Sequence, residues 1–244
     1  MPDQRHHRGP HPEDARLFGA DQWPTLQTAV ADLSWLLTKE YAIASSLKLV
    51  GDRFQLDERQ RKAVLRSACS DQALARRRQR LVPLTALAGM TLWIDGFNLL
   101  TTLEAALSGG VLLAGRDGSY RDMASMHGSY RKVEETVPAV LLVGNFLAAL
   151  GVTTCHWLLD SPVSNSGRLG TILKEIAAAQ AWEWSVELVL NPDEDLCNAP
   201  EIVVSADSLI LDLAGQWANI AAEIVRQAIP AAWVVPMAGQ EQTL

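Results

Sequence analysis

The chain reads as an α/β protein in which a small helical N-terminal domain precedes a three-layer α/β/α domain with a mainly parallel central sheet. Three observations predict this. From Leu26 to about Ala75 the apolar residues recur at helical spacing. Beyond Pro83 the pattern changes to short apolar runs, rich in β-branched and large side chains, that alternate with helical segments, as βαβ units do. The length, 244 residues, and the hydrophobic fraction, 48%, suit one large domain or a small one joined to a medium one.

The expected order along the chain begins with a mobile tail over 1–22. A helical domain with a basic linker follows over 23–82, then the α/β domain over 88–236 and a short tail over 237–244. In the helical domain Leu26, Val30, Leu33, Leu36 and Leu37 share one face, Tyr41 to Leu49 form a second helix that Gly51 ends, and Val64, Leu65 and Ala68 mark a third. Asp57, followed by Glu58 and Gln60, is a helix start. Leu74 to Pro83, LARRRQRLVP, reads as a basic linker closed by proline.

In the α/β domain the expected strands are Thr91–Ile94, Val111–Ala114, Val152–Leu159, Val186–Leu190, Ile202–Ser205 and Ala232–Val235. Helices are expected over Leu99–Leu107, Val137–Leu150, Leu169–Ala181, Leu209–Gly215 and Ile220–Ala228. The greasy stretch from Val137 to Leu159 is long enough to cross a bilayer, but Pro138, Gly144, Asn145, Gly151 and His156 divide it into a helix, a turn and a strand. No membrane association is expected.

Cys69, Cys155 and Cys197 are odd in number and lack C-x-x-C spacing, and the first twenty residues lack the apolar core of a secretory signal, so a reducing cytoplasm is expected. His6, His7 and His11 belong to the tail, where solvation outweighs metal binding. The formal charge of −7 conceals an asymmetry: residues 51–90 balance to +5, and residues 91–244 to −11. A basic part attracts polyanions; clustered carboxylates attract divalent cations.

Three hydrophobic runs end alike: LWID at Asp95, CHWLLD at Asp160 and IVVSAD at Asp207. In an open parallel sheet these ends share the edge where ligand crevices form. Capping of the following helix, or an Asp-Gly turn at 95 and 96, accounts for any one of them alone. Three in one domain favour a shared site, and converged carboxylates are favourable mainly when a cation compensates them. Oxygen donors without a His/Cys cluster suit Mg²⁺ or Mn²⁺. Asn98 is then placed to orient Asp95 or hold a metal-bound water.

These residues resemble a known family. IDGFNLL is similar to the first motif of the PIN/NYN-type ribonucleases, WLLDSPVSNSG to their second strand, and VVSADSLIL to a later strand in which Ser205 and Asp207 form the small-hydroxyl-x-Asp signature. VELVLNPDEDL resembles the acidic segment before that strand, where Asp193 or Asp195 supplies a fourth carboxylate. Residues 26–228 as a whole resemble an uncharacterised family with a helical domain ahead of a PIN-like domain. The resemblance implies metal-dependent phosphodiester hydrolysis of RNA, with Asp95, Asp160, Asp207, Asn98 and the helix-borne Glu104 as catalytic residues. Asp193 or Asp195 joins Asp95, Asp160 and Asp207 as a metal ligand.

On the substrate side, RDGSYRDMASMHGSYRK (116–132) is a polar loop that gathers Arg121, His127 and Arg131 with two tyrosines, types that hold phosphates and stack on bases. Ser164, Ser166 and Arg168 lead into a helix whose first N–H groups suit an anion, although capping by Ser166 explains the same residues. Arg59, Arg61, Lys62, Arg66 and Arg76 to Arg80 form either a path for RNA or a solvated face. RNA is the expected partner, with a second copy of the chain as another. A catalytically inactive RNA-binding module is the rival reading. Other α/β phosphatases or nucleotide enzymes lack support, because no phosphate-binding glycine loop and no D-x-D after the first strand is present.

Overall fold

The computed structural model describes residues 7–123 and 130–239. Five helices come first: α1 (Asp14–Phe18), α2 (Trp23–Thr38), α3 (Ile43–Arg53), α4 (Glu58–Ser67) and α5 (Asp71–Arg80). The start of α4 is the one that the sequence indicates, with the Asp57 N–H donating to Gln60 Oε1 at 3.1 Å in a capping box. Gly51, by contrast, does not end the second helix. It lies within α3, where a Cβ would collide with the Arg61 guanidinium. The basic stretch after Leu74 is helix rather than linker, because Ser70 Oγ caps α5 by accepting from the Ala73 N–H at 3.1 Å. Nor are residues 7–22 a loose tail. Leu17 and Phe18 are buried with Leu26, Leu33 and Val64, and buried Asp14 accepts from Arg59 Nε at 2.6 Å.

The remaining chain supplies, in order, β1 (Thr91–Asp95), α6 (Gly96–Leu107), β2 (Leu112–Ala114), β3 (Tyr120–Asp122), α7 (Thr136–Ala149), β4 (Thr154–Asp160), α8 (Ser166–Gln180), β5 (Glu183–Val189), α9 (Pro192–Cys197), β6 (Ile202–Val204), α10 (Ser208–Leu213), β7 (Gln216–Trp217), α11 (Ile220–Ala228) and β8 (Val234–Pro236). Five strands form a parallel sheet in the order β5-β4-β1-β6-β7. The chain leaves β1 toward β4 and β5, then returns to the other side of β1 with β6. That reversal makes the carboxyl end of β1 the switch point at which open α/β sheets place their ligands. The stretch 137–159 divides into α7 and β4 as expected, and no helix among the described residues is long and apolar enough to cross a membrane.

Alternation along the central strands fixes what lies on each side of the sheet. Leu92 and Ile94 of β1, Trp157 and Leu159 of β4, and Ile202 and Val204 of β6 share one core with α6, α7, α8 and α11. Leu158 and Val203 face the other way, onto Leu196 of α9 and Ile210 of α10, with Trp93 against them. Two layers of helices therefore enclose the sheet. β2 and β8, expected in the same sheet, instead form a second one in the order β3-β2-β8. Leu112 joins the large core, whereas Val111, Leu113 and Val235 join that of α1 to α4, so this small sheet is a wall shared by the helical and α/β parts. Met237 is buried there too, so the C-terminal tail expected over 237–244 does not begin at that residue.

Candidate functional site: an acidic sheet edge beside a basic cleft

The same alternation decides where the carboxylates go. Asp95 follows Trp93 by two residues, Asp160 follows Leu158 and Ser205 follows Val203, so all three continue the side of the sheet that α9 and α10 cover. Those helices contribute their own acids. Asp193 lies in the first turn of α9, and Asp207 is the N-cap of α10, accepting from the Leu209 N–H at 2.8 Å. Parallel pairing brings the carboxyl ends of β4, β1 and β6 to one edge, with Asp95 opposite Leu158 and Ile94 opposite Val204.

Asp95 is the most constrained of the four. It is 9% exposed; Oδ2 accepts from the Ser205 hydroxyl at 2.7 Å and Oδ1 from the Asn98 N–H at 3.3 Å. Asn98 in turn accepts from the Ala206 N–H at 2.9 Å, and Ser205 Oγ from the Asp207 N–H at 3.0 Å. The start of α6 and the turn after β6 are thus tied together around one carboxyl. The pKa of Asp95 is pushed up to about 7, chiefly by burial, which the Ser205 and Asn98 hydrogen bonds oppose and the charges of Asp193 and Asp207 reinforce. Asp193 is raised by partial burial and then by Asp207 and Asp160, and Asp160 chiefly by partial burial. Asp95 and Asp193 thus feel the charge of their acidic neighbours. Among the described residues, however, no three His, Cys, Asp or Glu side chains are gathered as a ready-made metal site.

Gly96 makes this edge possible. As the first residue of α6 it does not serve as a turn glycine; a Cβ there would lie 2.6 Å from Leu159 Cδ2 and 3.0 Å from the Leu158 carbonyl oxygen. Gly96→Ala is expected to push α6 off β4 and lower stability by about 1–3 kcal/mol, the usual cost of overpacking. Urea denaturation of the two proteins measures it, and equal midpoints would contradict the close packing.

Other expected site residues lie elsewhere. Glu104 stands nine residues beyond Asp95, roughly 13–14 Å along α6, in the helical layer on the opposite side of the sheet from Asp193 and Asp207. It is fully buried and accepts from Arg8, from the Tyr130 hydroxyl and, at 2.6 Å, from the Thr136 hydroxyl. Asp193 and Asp195 are both exposed and lie roughly 200° apart around α9; of the two alternatives it is Asp193 whose charge acts on Asp95. Arg121 is buried and engaged, with Nη2 donating to Asp117 at 2.7 Å and Nε to the Ala206 carbonyl at 2.7 Å. It positions the turn after β6 rather than offering itself to a phosphate. His127 lies outside the described residues.

The basic helices are also more structural than expected. Arg59 and Arg61 pair with Asp14 and Asp52, while Arg77 donates to Asp117 at 2.6 Å and by both prongs to Asp212 at 2.8 and 2.9 Å. Sequence reasoning missed this brace between α5 and α10. Its signal was present, since a run of arginines with helical spacing and a cap at Ser70 suits a buried interface as well as a linker.

Arg131 and Arg168 do come together, joined by Lys132, in a cleft of about 320 Å³ with Asn165 and Leu169 on its walls. Asn165 takes the N-cap position of α8 and donates to the Tyr130 carbonyl at 2.9 Å, and Ser164 accepts from the Tyr130 N–H at 3.0 Å. Ser166, expected as a cap, is instead buried inside the first turn. Five residues separate Asp160 from α8, so the cleft opens beside the acidic edge on the α8 side.

A family model described as "Domain of unknown function (DUF5616)" matches residues 84–223. The chain belongs to that family. A second model, "Protein of unknown function (DUF434)", matches residues 25–80, so the two matches divide the chain between α5 and β1. The DUF5616 region includes all four carboxylates of the edge and both arginines of the cleft. The chain is similar to the uncharacterized protein MJ0935 of Methanocaldococcus jannaschii, with 30% identity over 187 residues that cover 77% of this chain and 89% of the relative. No solved structure matches it.

Proposed function

We propose that the chain is a metal-dependent ribonuclease of PIN/NYN type that hydrolyses RNA phosphodiester bonds at the acidic sheet edge, with Mg²⁺ or Mn²⁺ as cofactor. The observation that carries this reading is the convergence of Asp95, Asp160, Asp193 and Asp207 on the α9/α10 side of the switch point, where Asp95 is buried and raised to about 7 by desolvation and by two of its neighbours. A buried carboxyl repelled by other acids is costly unless a cation offsets it. The donor chemistry fits a hard divalent ion, being all carboxylate oxygen with a serine and an asparagine in support.

Asp95, Asp160, Asp207 and Asp193 would hold the ion. When bound, it would supply a nucleophilic water at neutral pH and neutralise charge on the phosphate. Ser205 and Asn98 fix the Asp95 carboxyl and the Ala206 backbone, so the edge enters the reaction already oriented. Asp95 must give up its proton before it can bind a cation, so activity should rise with pH through about 7. The compartment proposed is the cytoplasm, in keeping with three cysteines that are all unpaired.

Incubation of a mixed single-stranded RNA pool with Mg²⁺ or Mn²⁺ tests the proposal. Wild type should cleave, EDTA should stop cleavage, and Asp160→Asn should reduce it severely. Equal cleavage by wild type and Asp160→Asn would reject the site. The position of Glu104, locked away with Arg8, favours one rival: an RNA-binding module without catalysis. That rival predicts RNA affinity without cleavage, unchanged by EDTA or by Asp160→Asn.

A further inference from the structure

We propose that the cleft formed by Arg131, Lys132 and Arg168 is a phosphate subsite for single-stranded RNA, gripping the backbone beside the acidic edge without reading the base. For its ligand it rests on the ribonuclease reading above. Three facts about the cleft carry it.

First, its charge is uncompensated. None of the three side chains has a hydrogen-bond or ion-pair partner among the described residues, and no acid lines the opening. Elsewhere in the α/β part the arginines have partners: Arg116 has Asp71, Arg121 has Asp117, and Arg226 has Glu223. Three like charges around one concavity repel, and a phosphate between them removes that cost.

Second, the walls are fixed in advance. Asn165 and Ser164 bond the Tyr130 backbone, and Leu169 is anchored in the large core, so the approach to α7 and the first turn of α8 are held at a set spacing. No side chain caps α8, which leaves the positive end of a fifteen-residue helix at the same opening.

Third, size and lining limit the ligand. About 320 Å³ is near the lower end for small-molecule pockets and accommodates a phosphate with its sugar. The aromatic residue at the cleft, Tyr130, is buried with its hydroxyl engaged by Glu104, so no open ring awaits a base. Binding should therefore be indifferent to sequence.

The test is fluorescence anisotropy with a labelled single-stranded oligoribonucleotide in EDTA, where cleavage cannot interfere. Arg131→Gln, Lys132→Gln and Arg168→Gln are combined in one variant, whose melting temperature is checked against wild type. The expected result is at least tenfold weaker binding, with a log-affinity against log-salt slope smaller by about 0.7, the contribution of the single phosphate that the cleft holds. Unchanged affinity and slope in the triple variant would overturn the subsite. So would a nucleoside monophosphate that binds through the same three residues as tightly as the oligonucleotide, because the ligand would then be a small phosphorylated molecule. Because no metal or cleavage enters the measurement, loss of the nuclease reading alone would leave these binding results intact.

Discussion

Asp95→Asn should abolish RNA cleavage and, at pH 8 without divalent ions, make the protein more stable than wild type. The two effects have one cause. Burial holds the Asp95 carboxyl near pKa 7, far above its ordinary 3.8, so the fold prefers it protonated. A pKa raised on folding contributes stability that is fully present below the unfolded value and is lost as pH rises through the folded one. For Asp95 that window runs from about 4 to about 7. At pH 4 the variant should gain little; at pH 8 it removes a buried charge whose cost is on the order of 4 kcal/mol. Its amide still accepts from the Asn98 N–H and reaches Ser205. Mg²⁺ should raise the wild-type melting temperature at pH 8 and raise that of the variant much less, because the ion stabilises only the state that binds it. Cleavage should fall by about 100-fold or more, since loss even of outer partners of metal ligands costs 10–100-fold. Thermal melts at both pH values with and without Mg²⁺, read beside cleavage rates, would refute this if the variant were less stable at pH 8 or cleaved as wild type does.

Why the edge was legible and the brace was not follows from what each leaves in a sequence. Asp95, Asp160 and Asp207 stand at the ends of apolar runs, and a parallel sheet must collect such ends at one edge. The side of the sheet they face is also legible, because strand parity links Asp95 to Trp93 and Asp160 to Leu158. Hydrophobic pattern finds strands only where burial is apolar. β3, Tyr120–Asp122, is buried along its length yet reads YRD, because its charges are answered by partners that apolar pattern does not show: Arg121 by Asp117, four residues back, and by the distant Ala206 carbonyl, Asp122 by Thr101 and Thr102. The same applies to Glu104. Its helix was expected, but its partner Arg8 lies 96 residues away, in a segment that composition alone presents as a solvated tail. α9 was missed although it carries a plain signal, Pro192 at its start with Asp193, Glu194 and Asp195 in the first turn. That helix holds the fourth carboxylate.

Arg77→Ala is expected to cost about 3 kcal/mol and to weaken cleavage even where the protein remains folded. Arg77 is 3% exposed and lies between two carboxylates, Asp117 and Asp212, with a further bond to the Ser208 carbonyl at 3.1 Å. Burial alone would push the Asp117 carboxyl up, but Arg121, Ser119 and Arg77 outweigh it and hold Asp117 well below the ordinary range. A carboxylate depressed in this way contributes stability above its unfolded pKa that is lost as pH falls through the folded one. Removing Arg77 should therefore lower stability at pH 7 and bring acid unfolding to a higher pH. Breaking a buried pair commonly costs 3–5 kcal/mol, and the lower figure applies here because Arg121 still answers Asp117. Arg77→Lys keeps the charge but cannot fork across Asp212, so it should recover part of the stability and less of the activity. The link to activity runs through α10: Arg77 holds Ser208 and Asp212, Arg121 holds Ala206, and between them lies Asp207. Urea unfolding at pH 7 and pH 5, together with cleavage rates at a temperature where all three proteins are folded, separates the two roles. If Arg77→Ala matched wild type in unfolding, the brace would not support the helical part against the sheet. If it lost stability but cleaved at the wild-type rate, Asp207 would not depend on α5 for its place.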